Sequence, residues 1–359
     1  MSLSREAAWQ AVAEGSRLTP EEGEALLGEP DLFRLGAAAD RVRRRLHPEG
    51  YVTFIRDRII NYTNICVTGC SFCAFHRPPG HPESFVRSLD EIFRKIDEME
   101  KVGGTTVFLQ GGHNPDLGID FYEHLFSAVK SRYPHLYLHS LAASEVDHIA
   151  TTSGLSLAET LLRLQQAGLD SLPGGGAELL VDEIRRRVSP RKIPAERWLE
   201  IHQLAHSLGI ESTATMVFGF GETPQQRIEH LERLRNLQDR TGGFRSFIHW
   251  SLSTRRTDLA ATVPPAGVEY LRLLAVARLY LDNFRHLHSG WVTEGARLAQ
   301  VALDFGADDL GSVLMEELVL AATGVHYRYH SEEFVRLIRG AGRTPAVRNS
   351  RYEILEVLE

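Results

Sequence analysis

The chain has 359 residues, 43% of them hydrophobic and 24% charged, and carries a net charge of −7. That length admits one large domain or two average ones, and the composition is that of an ordinary globular protein that needs no disulfide to hold its core. The acidic balance argues against a nucleic-acid groove. No apolar run approaches the roughly 20 residues of a membrane span, so neither nucleic acid nor membrane is expected as a partner.

The N-terminal stretch MSLSREAAWQAVAEGSRLTPEEGEALL is amphipathic and acidic. It lacks the apolar centre of a signal peptide, which predicts a cytoplasmic address. Residues 5–48 read as short helices, with Thr19 as N-cap and Pro20 at the first helical position of one of them. After Gly50 the pattern changes to the β-branched, extended run VTFIRDRIINYTNIC. Further strand candidates are TTVFLQGG (105–112), LYLHSLA (136–142), DSLPGGG (170–176), ESTATMVFG (211–219), FRSFIHWSL (244–252), LHSGWV (287–292) and DDLGSV (308–313). Between them lie segments such as SLDEIFRKIDEMEKVG and PAERWLEIHQLAHSLG, whose apolar residues recur at three and four.

This alternation predicts an α/β fold, a (βα)8 TIM-type barrel of about eight βα units with a helical extension at its N-terminus. The expected division is an extension over 1–49 and a barrel over 50–359, the last part (about 286–359) completing the barrel and closing the site. Polar and glycine residues gather at the C-terminal ends of the predicted strands: Gln110-Gly111-Gly112, His139-Ser140, Gly174 to Glu178 and His249-Trp250. In a barrel that rim carries the active site.

The three cysteines lie within eight residues, as Cys66-x3-Cys70-x2-Cys73. An odd, clustered set points to metal rather than to a disulfide framework. Thiolates are the usual ligands of iron–sulfur clusters, and three of them leave one iron of a [4Fe–4S] cube open. A zinc site competes, because His76 stands three residues after Cys73 and offers a fourth ligand. Phe72 is an aromatic in position either to shield such a cluster or to stack on an adenine. Glycine at 111 and 112 lets backbone come close to a ligand. Pro173 to Glu178 is a strand-to-helix turn with free amides but without the Gly-Lys-Ser/Thr ending of a phosphate loop. His202 and His206 do not form an H-E-x-x-H zinc motif and are expected on a helix surface, and Arg185-Arg186-Arg187 reads as a solvated helix face.

A C-x3-C-x2-C motif with an aromatic before its last cysteine, on the loop after the first barrel strand, resembles the signature of the radical S-adenosylmethionine (SAM) superfamily. The resemblance implies a [4Fe–4S] cluster on Cys66, Cys70 and Cys73 whose open iron chelates SAM, and cleavage of SAM to a 5′-deoxyadenosyl radical. It also implies a SAM site built from Phe72, Gln110, Gly111, Gly112, Ser140 and Glu178. The strings NYTNICVTGCSFCAFHR, FLQGGHNPDLGIDFYEHLF, AGLDSLPGGGAELLVDEIRRRVSPRK and TATMVFGFGETPQQRIEHLERL resemble the radical enzymes of the futalosine route to menaquinone, from about residue 35 to the C-terminus. Leu138-His139-Ser140-Leu141 and the tail SGWVTEG…ALDFGADDLGSVLMEE resemble the dehypoxanthine futalosine cyclases more than the aminofutalosine or deazaflavin synthases. The substrate implied is dehypoxanthine futalosine, which loses hydrogen at C4′ and closes a ring onto its benzoate. An electron donor such as flavodoxin or ferredoxin is implied as partner. His139, Glu145 and His249 are candidate bases for the proton lost on ring closure. The chain departs from the cyclase pattern at Phe247-Ile248-His249-Trp250, where Phe-Ile-Pro-Trp is usual, at Gly219-Phe220-Gly221-Glu222, and from Ser251 to Thr257. A simple electron-transfer iron–sulfur protein is the alternative of another class; it usually has four protein ligands and no large barrel.

Overall fold

The computed structural model describes residues 3–313, 315–325 and 329–359. Three helices come first, α1 (Leu3–Glu14), α2 (Pro20–Leu27) and α3 (Leu32–Leu46). α2 starts where Thr19-Pro20 predicts: Thr19 Oγ1 accepts from Glu22 N, and the Glu22 carboxylate accepts from Thr19 N at 2.8 Å. Then follow β1 (Tyr51–Ile55), β2 (Asp57–Asn61), α4 (Leu89–Glu100), β3 (Thr106–Gln110), α5 (Ile119–Arg132), β4 (Tyr137–Leu138), α6 (Ala143–Ser153) and α7 (Leu157–Ala167). The middle of the chain gives β5 (Ser171–Leu172), α8 (Asp182–Val188), α9 (Ala195–Ser207), β6 (Glu211–Phe218), α10 (Pro224–Thr241), β7 (Phe244–Ser251), α11 (Gly267–Tyr280) and β8 (His286–His288). The C-terminal part gives α12 (Trp291–Glu294), α13 (Ala296–Ala302), β9 (Asp309–Ser312), α14 (Leu318–Ala321), α15 (Ser331–Gly340), β10 (Thr344–Arg348) and β11 (Ile354–Val357).

β1 and β2 are two halves of one run, interrupted at Arg56. β2 pairs with β3 and β3 with β4, all parallel. A single bridge, His139 to Ser171, carries the circuit from β4 to β5. Parallel pairing continues through β6, β7, β8 and β9, and β9 returns to β1 at Thr53↔Asp309. The strands therefore close into a barrel with helices outside, the α/β TIM-type fold that the alternation predicts.

Side chains along β2 alternate between the two faces. Arg58 reaches outward to Lys95 O and Glu98 on α4, and Tyr62, just past the strand, to Tyr122 on α5. Asp57, Ile59 and Asn61 consequently face the lumen. The last strands lie at the lower end of the barrel, away from the cysteine loop. β10 pairs with β1 from Tyr51↔Thr344 to Phe54↔Val347, and β11 folds back antiparallel on it. Arg348 and Tyr352 enter the lumen there: Arg348 bonds the buried Asp309 and lies 4.0 Å over the Tyr352 ring, which stacks 3.7 Å from His286. This part of the tail forms a floor rather than a cover for the mouth. Among the described residues no helix is long and apolar enough to cross a membrane.

Candidate active site at the barrel mouth

The cysteine loop is fixed by main-chain bonds to three neighbouring segments. Cys66 N donates to Arg77 O at 2.9 Å, Val67 N to His113 O at 3.1 Å, and Ser71 N to Val188 O at 2.9 Å. The Arg77 guanidinium caps the carbonyls of Ala74 and His76 at 3.0 and 2.9 Å. Cys70 is buried and Cys66 and Cys73 are half-buried, all three as free thiols. Burial pushes the Cys70 thiol up; at Cys73 burial acts the same way but hydrogen bonds from His76 outweigh it and hold that thiol low.

The thiol arrangement separates the two metal readings. Thiolates of one tetrahedral zinc stand about 3.8 Å apart, from Zn–S bonds of about 2.3 Å. Among the described residues only His47, His286 and Asp308 gather three ligand atoms within 4.8 Å; the cysteine sulfurs do not. Three thiolates on one loop are the donor set of a [4Fe–4S] cluster with one open iron. The histidine–aspartate group lies at the barrel floor and is itself no metal site. His47 Nε2 faces only acceptors, Arg285 O at 3.0 Å and Asp308 at 3.3 Å, and Asp308 already binds the Arg278 guanidinium at 2.5 Å.

Beside the loop, the turn after β3 is packed against it. A Cβ on Gly112 would lie 2.1 Å from Ile65 O and 2.8 Å from Cys66 Cβ; one on Gly111 would lie 2.6 Å from the Tyr62 ring. The close approach that demands glycine is thus to the cysteine loop and its strand, within the protein. Glu145, in the first turn of α6, ties the turn down. Its carboxylate accepts from Gly111 N at 2.9 Å, Ala142 N at 2.8 Å and the Tyr62 hydroxyl at 2.7 Å. Burial pushes its pKa up to about 7 against those bonds. With both oxygens engaged, this carboxylate is placed to hold the turn and not to meet a substrate proton. Gln110, half-buried, is in register with Asn61 and faces the lumen.

Two of the expected rim residues point elsewhere. Ser140 alternates with His139, so it leaves the lumen: it is fully buried and its Oγ accepts from Leu109 N at 3.2 Å. His249 is also fully buried, stacked 4.4 Å on Tyr270 of α11, with Nε2 at 3.2 Å from Tyr270 O. The cause is a register slip in β7, where Ser212↔Phe244 is followed by Ala214↔Phe247. One extra residue flips the parity, so Arg245 below the slip and Ile248 and Trp250 above it share the inner face, while His249 turns outward. His202 and His206 are likewise not on the surface. They pack between α9 and the barrel and share Ser212 Oγ at 2.9 and 2.7 Å.

His139 does face the lumen. Its Nδ1 is 2.7 Å from Ser171 Oγ and its ring 5.3 Å from Phe108. Burial first, then the charges of Arg245 and Arg348, hold its pKa well below the usual histidine value, so the imidazole is neutral. Phe72 lies edge-on to Phe220 at 5.6 Å, with the Lys192 ammonium 5.7 Å from its ring centre. Glu178, in the left-handed region with φ of 41°, binds Lys192 Nζ at 2.6 Å and Arg185 at 3.4 Å. Sequence reasoning passed over Lys192. Its ammonium is held charged against burial by Glu178 and by the neighbouring Cys70, which places a half-buried cation beside that cysteine.

The Radical SAM superfamily profile matches residues 60–234 and that of the CofH/MqnC C-terminal region matches 241–359. The chain is 47% identical over 348 residues to the cyclic dehypoxanthine futalosine synthase of Streptomyces coelicolor, covering 96% of this chain and 87% of that one. The chain belongs to the radical SAM superfamily. It is 42% identical to the cyclic dehypoxanthine futalosine synthase of Halalkalibacterium halodurans (96% and 93% covered) and 39% identical to the aminodeoxyfutalosine synthase of Thermus thermophilus (97% and 95% covered). In fold it is similar to crystalline methylornithine synthase, with a TM-score of 0.73 at 18% identity over 94% of this chain and 97% of that one. As a superfamily member it is an enzyme, and its cofactors are a [4Fe–4S] cluster and SAM.

Proposed function

We propose that this enzyme converts dehypoxanthine futalosine to its cyclic form in menaquinone biosynthesis. The observation that carries the reading is the 47% identity to a synthase of that name across nearly the whole chain. In the reaction C4′ of the ribose loses its hydrogen and bonds to the benzoate ring, one proton and one electron leave to restore aromaticity, and SAM is the net oxidant consumed. When bound, the cluster and SAM supply a hydrogen-abstracting carbon radical.

The chain's own residues provide position and dryness. Cys66, Cys70 and Cys73 hold the cluster, with Lys192 offsetting thiolate charge from one side. Phe72, Gln110 and the turn at Gly111-Gly112 border the place where SAM must meet the loop, and Glu178 acts there through Lys192. Below them Phe108, Val217, Ile248 and Trp250 are half-buried residues on the inner strand faces, an apolar wall suited to an aromatic acid. Among the candidate bases His139 alone faces the lumen, and its ring is neutral and able to take a proton.

The electron is supplied by a low-potential carrier such as flavodoxin or ferredoxin, in the cytoplasm. Supporting this, Arg186, Arg191, Arg255 and Arg256 are exposed on the two segments whose main chain bonds Ser71 of the cysteine loop. Arg191 reaches over Gly69, and the 254–258 segment joins the loop through Asp258 N to Ser71 O at 3.0 Å. An acidic carrier meets complementary charge there.

The test is anaerobic incubation of cluster-loaded enzyme with SAM, a reductant and dehypoxanthine futalosine deuterated at C4′. The expected result is a product that has lost the C4′ deuterium and one further hydrogen from the labelled substrate, with that deuterium in free deoxyadenosine. Deoxyadenosine carbons bonded into the product would instead make the chain an aminofutalosine-type synthase.

A further inference from the structure

Asn61 ends β2 on the lumen side, in register with Gln110. Its side chain is 1% exposed, yet neither Oδ1 nor Nδ2 has a hydrogen-bond partner among the described residues. The main chain around it is fully engaged: Asn61 O accepts from Arg87 Nε at 3.0 Å, and the strand pairs with β3 throughout. Three residues on, Asn64 engages both ends of its amide, accepting from Phe85 N and donating to Glu83 O, both at 2.9 Å. The missing partner is therefore confined to the side chain, which faces into the barrel below the cysteine loop and is closed off from solvent there. Buried amides are satisfied as a rule, and an unpaired one asks for a missing partner.

The chemistry of that partner follows from the group. A carboxamide presents a donor and an acceptor in one plane. A carboxylate accepts only, so it would leave Oδ1 unpaired. An ammonium donates only, so it would leave Nδ2 unpaired. Neighbouring hydroxyls each donate and accept, and satisfy both ends. The surrounding inner-face residues, Ile59, Phe108 and Gln110, add no charge. We propose that Asn61 receives the sugar hydroxyls of the substrate in the barrel lumen and so fixes which ribose hydrogen is presented for abstraction. This rests on the dehypoxanthine futalosine reading. A single trapped water and the ribose hydroxyls of SAM are the competing occupants, and a loss of SAM affinity in both variants would assign the amide to SAM and overturn the proposal.

The test compares wild-type enzyme with Asn61→Leu, which keeps the shape and removes both polar atoms, and Asn61→Asp, which keeps only acceptors. Substrate binding is measured by equilibrium dialysis in the presence of SAM, alongside turnover, with the natural sugar and with its 2′-deoxy and 3′-deoxy analogues. Losing two hydrogen bonds should raise Kd and KM for the natural substrate about 10- to 100-fold. Cluster content and SAM affinity should stay within about twofold. One deoxy analogue should bind worse than the natural substrate to wild type and equally well to Asn61→Leu, the coupling expected of a direct contact. If both variants keep the wild-type substrate Kd and the analogues show no coupling, the amide serves only a buried water and the assignment falls. Wild-type enzyme that binds no dehypoxanthine futalosine would sink the functional reading, and this assignment with it.

Discussion

Gly112 has no room for a side chain because Ile65 O and Cys66 Cβ already occupy the space. A methyl group at 2.1 Å from a backbone oxygen forces the cysteine loop itself to move. Gly112→Ala should accordingly lose iron and sulfide along with SAM affinity, to below half of wild-type iron content, and iron analysis after anaerobic reconstitution checks it. A variant with full cluster and weak SAM binding would place the turn's role at the ligand alone. At this scale the sequence was legible where chemistry is local. Cys66, Cys70, Cys73 and Phe72 sit on one loop, and their spacing is their arrangement. It was illegible where orientation depends on one strand residue. Ser140 leaves the lumen because His139 enters it, and His249 turns outward because of an extra residue in β7 that no composition signal marks. Lys192 escaped notice because its partner Glu178 is fourteen residues away and reaches it only through the fold.

Helix starts are written locally in the sequence, although Thr19 alone was read as one. Thr19, Ser88 and Thr223 each form a capping box, with Glu22, Glu91 and Gln226 closing it, and each marks a helix start that Ser/Thr-x-x-Glu/Gln announces in the sequence. The shortest strands were readable as places but not as lengths: β4 and β5 shrink to two residues each, since the chain turns away at once into polar rim loops. β10 went unread because Pro345 sits inside it and its residues do not alternate. Yet that strand carries Arg348, whose guanidinium is the ionic partner of Asp309, fully buried in the lumen. Removing one member of a buried pair costs about 3–5 kcal/mol, because the other charge is left uncompensated. Arg348→Met should lower the urea midpoint by a large fraction of total stability, and Asp309→Asn in the same chain should restore most of the loss. Equal midpoints for the single variant and wild type would show that the floor does not depend on this pair.

For the whole molecule, the ring of parallel strands was legible from alternation alone, whereas the distribution of charge over its surface was not. A net charge of −7 suggests an acidic surface everywhere. The fold instead brings two segments to the cysteine loop, where Ser71 bonds Val188 and Asp258, and Arg186, Arg191, Arg255 and Arg256 on those segments are exposed. Of the acidic groups close by, Glu178 is engaged with Lys192 and Arg185, Glu222 with Arg227 and Glu83 with Arg77, while Asp258 is exposed beside Arg255 and Arg256 in sequence. Electrostatic steering of this kind acts on association rate and fades with salt, over a Debye length of about 8 Å at physiological ionic strength. Turnover driven by a reduced acidic flavodoxin should therefore fall steeply between about 50 and 300 mM salt. Turnover driven by dithionite, a small reductant that needs no docking surface, should fall much less. Arg191→Glu combined with Arg255→Glu should lower the flavodoxin-driven rate about 10-fold or more at low salt while leaving cluster content and dithionite-driven turnover near wild type. Equal losses with both reductants would mean that the substitutions disturb the loop rather than the encounter, and no loss with flavodoxin would move electron entry to another face of the barrel.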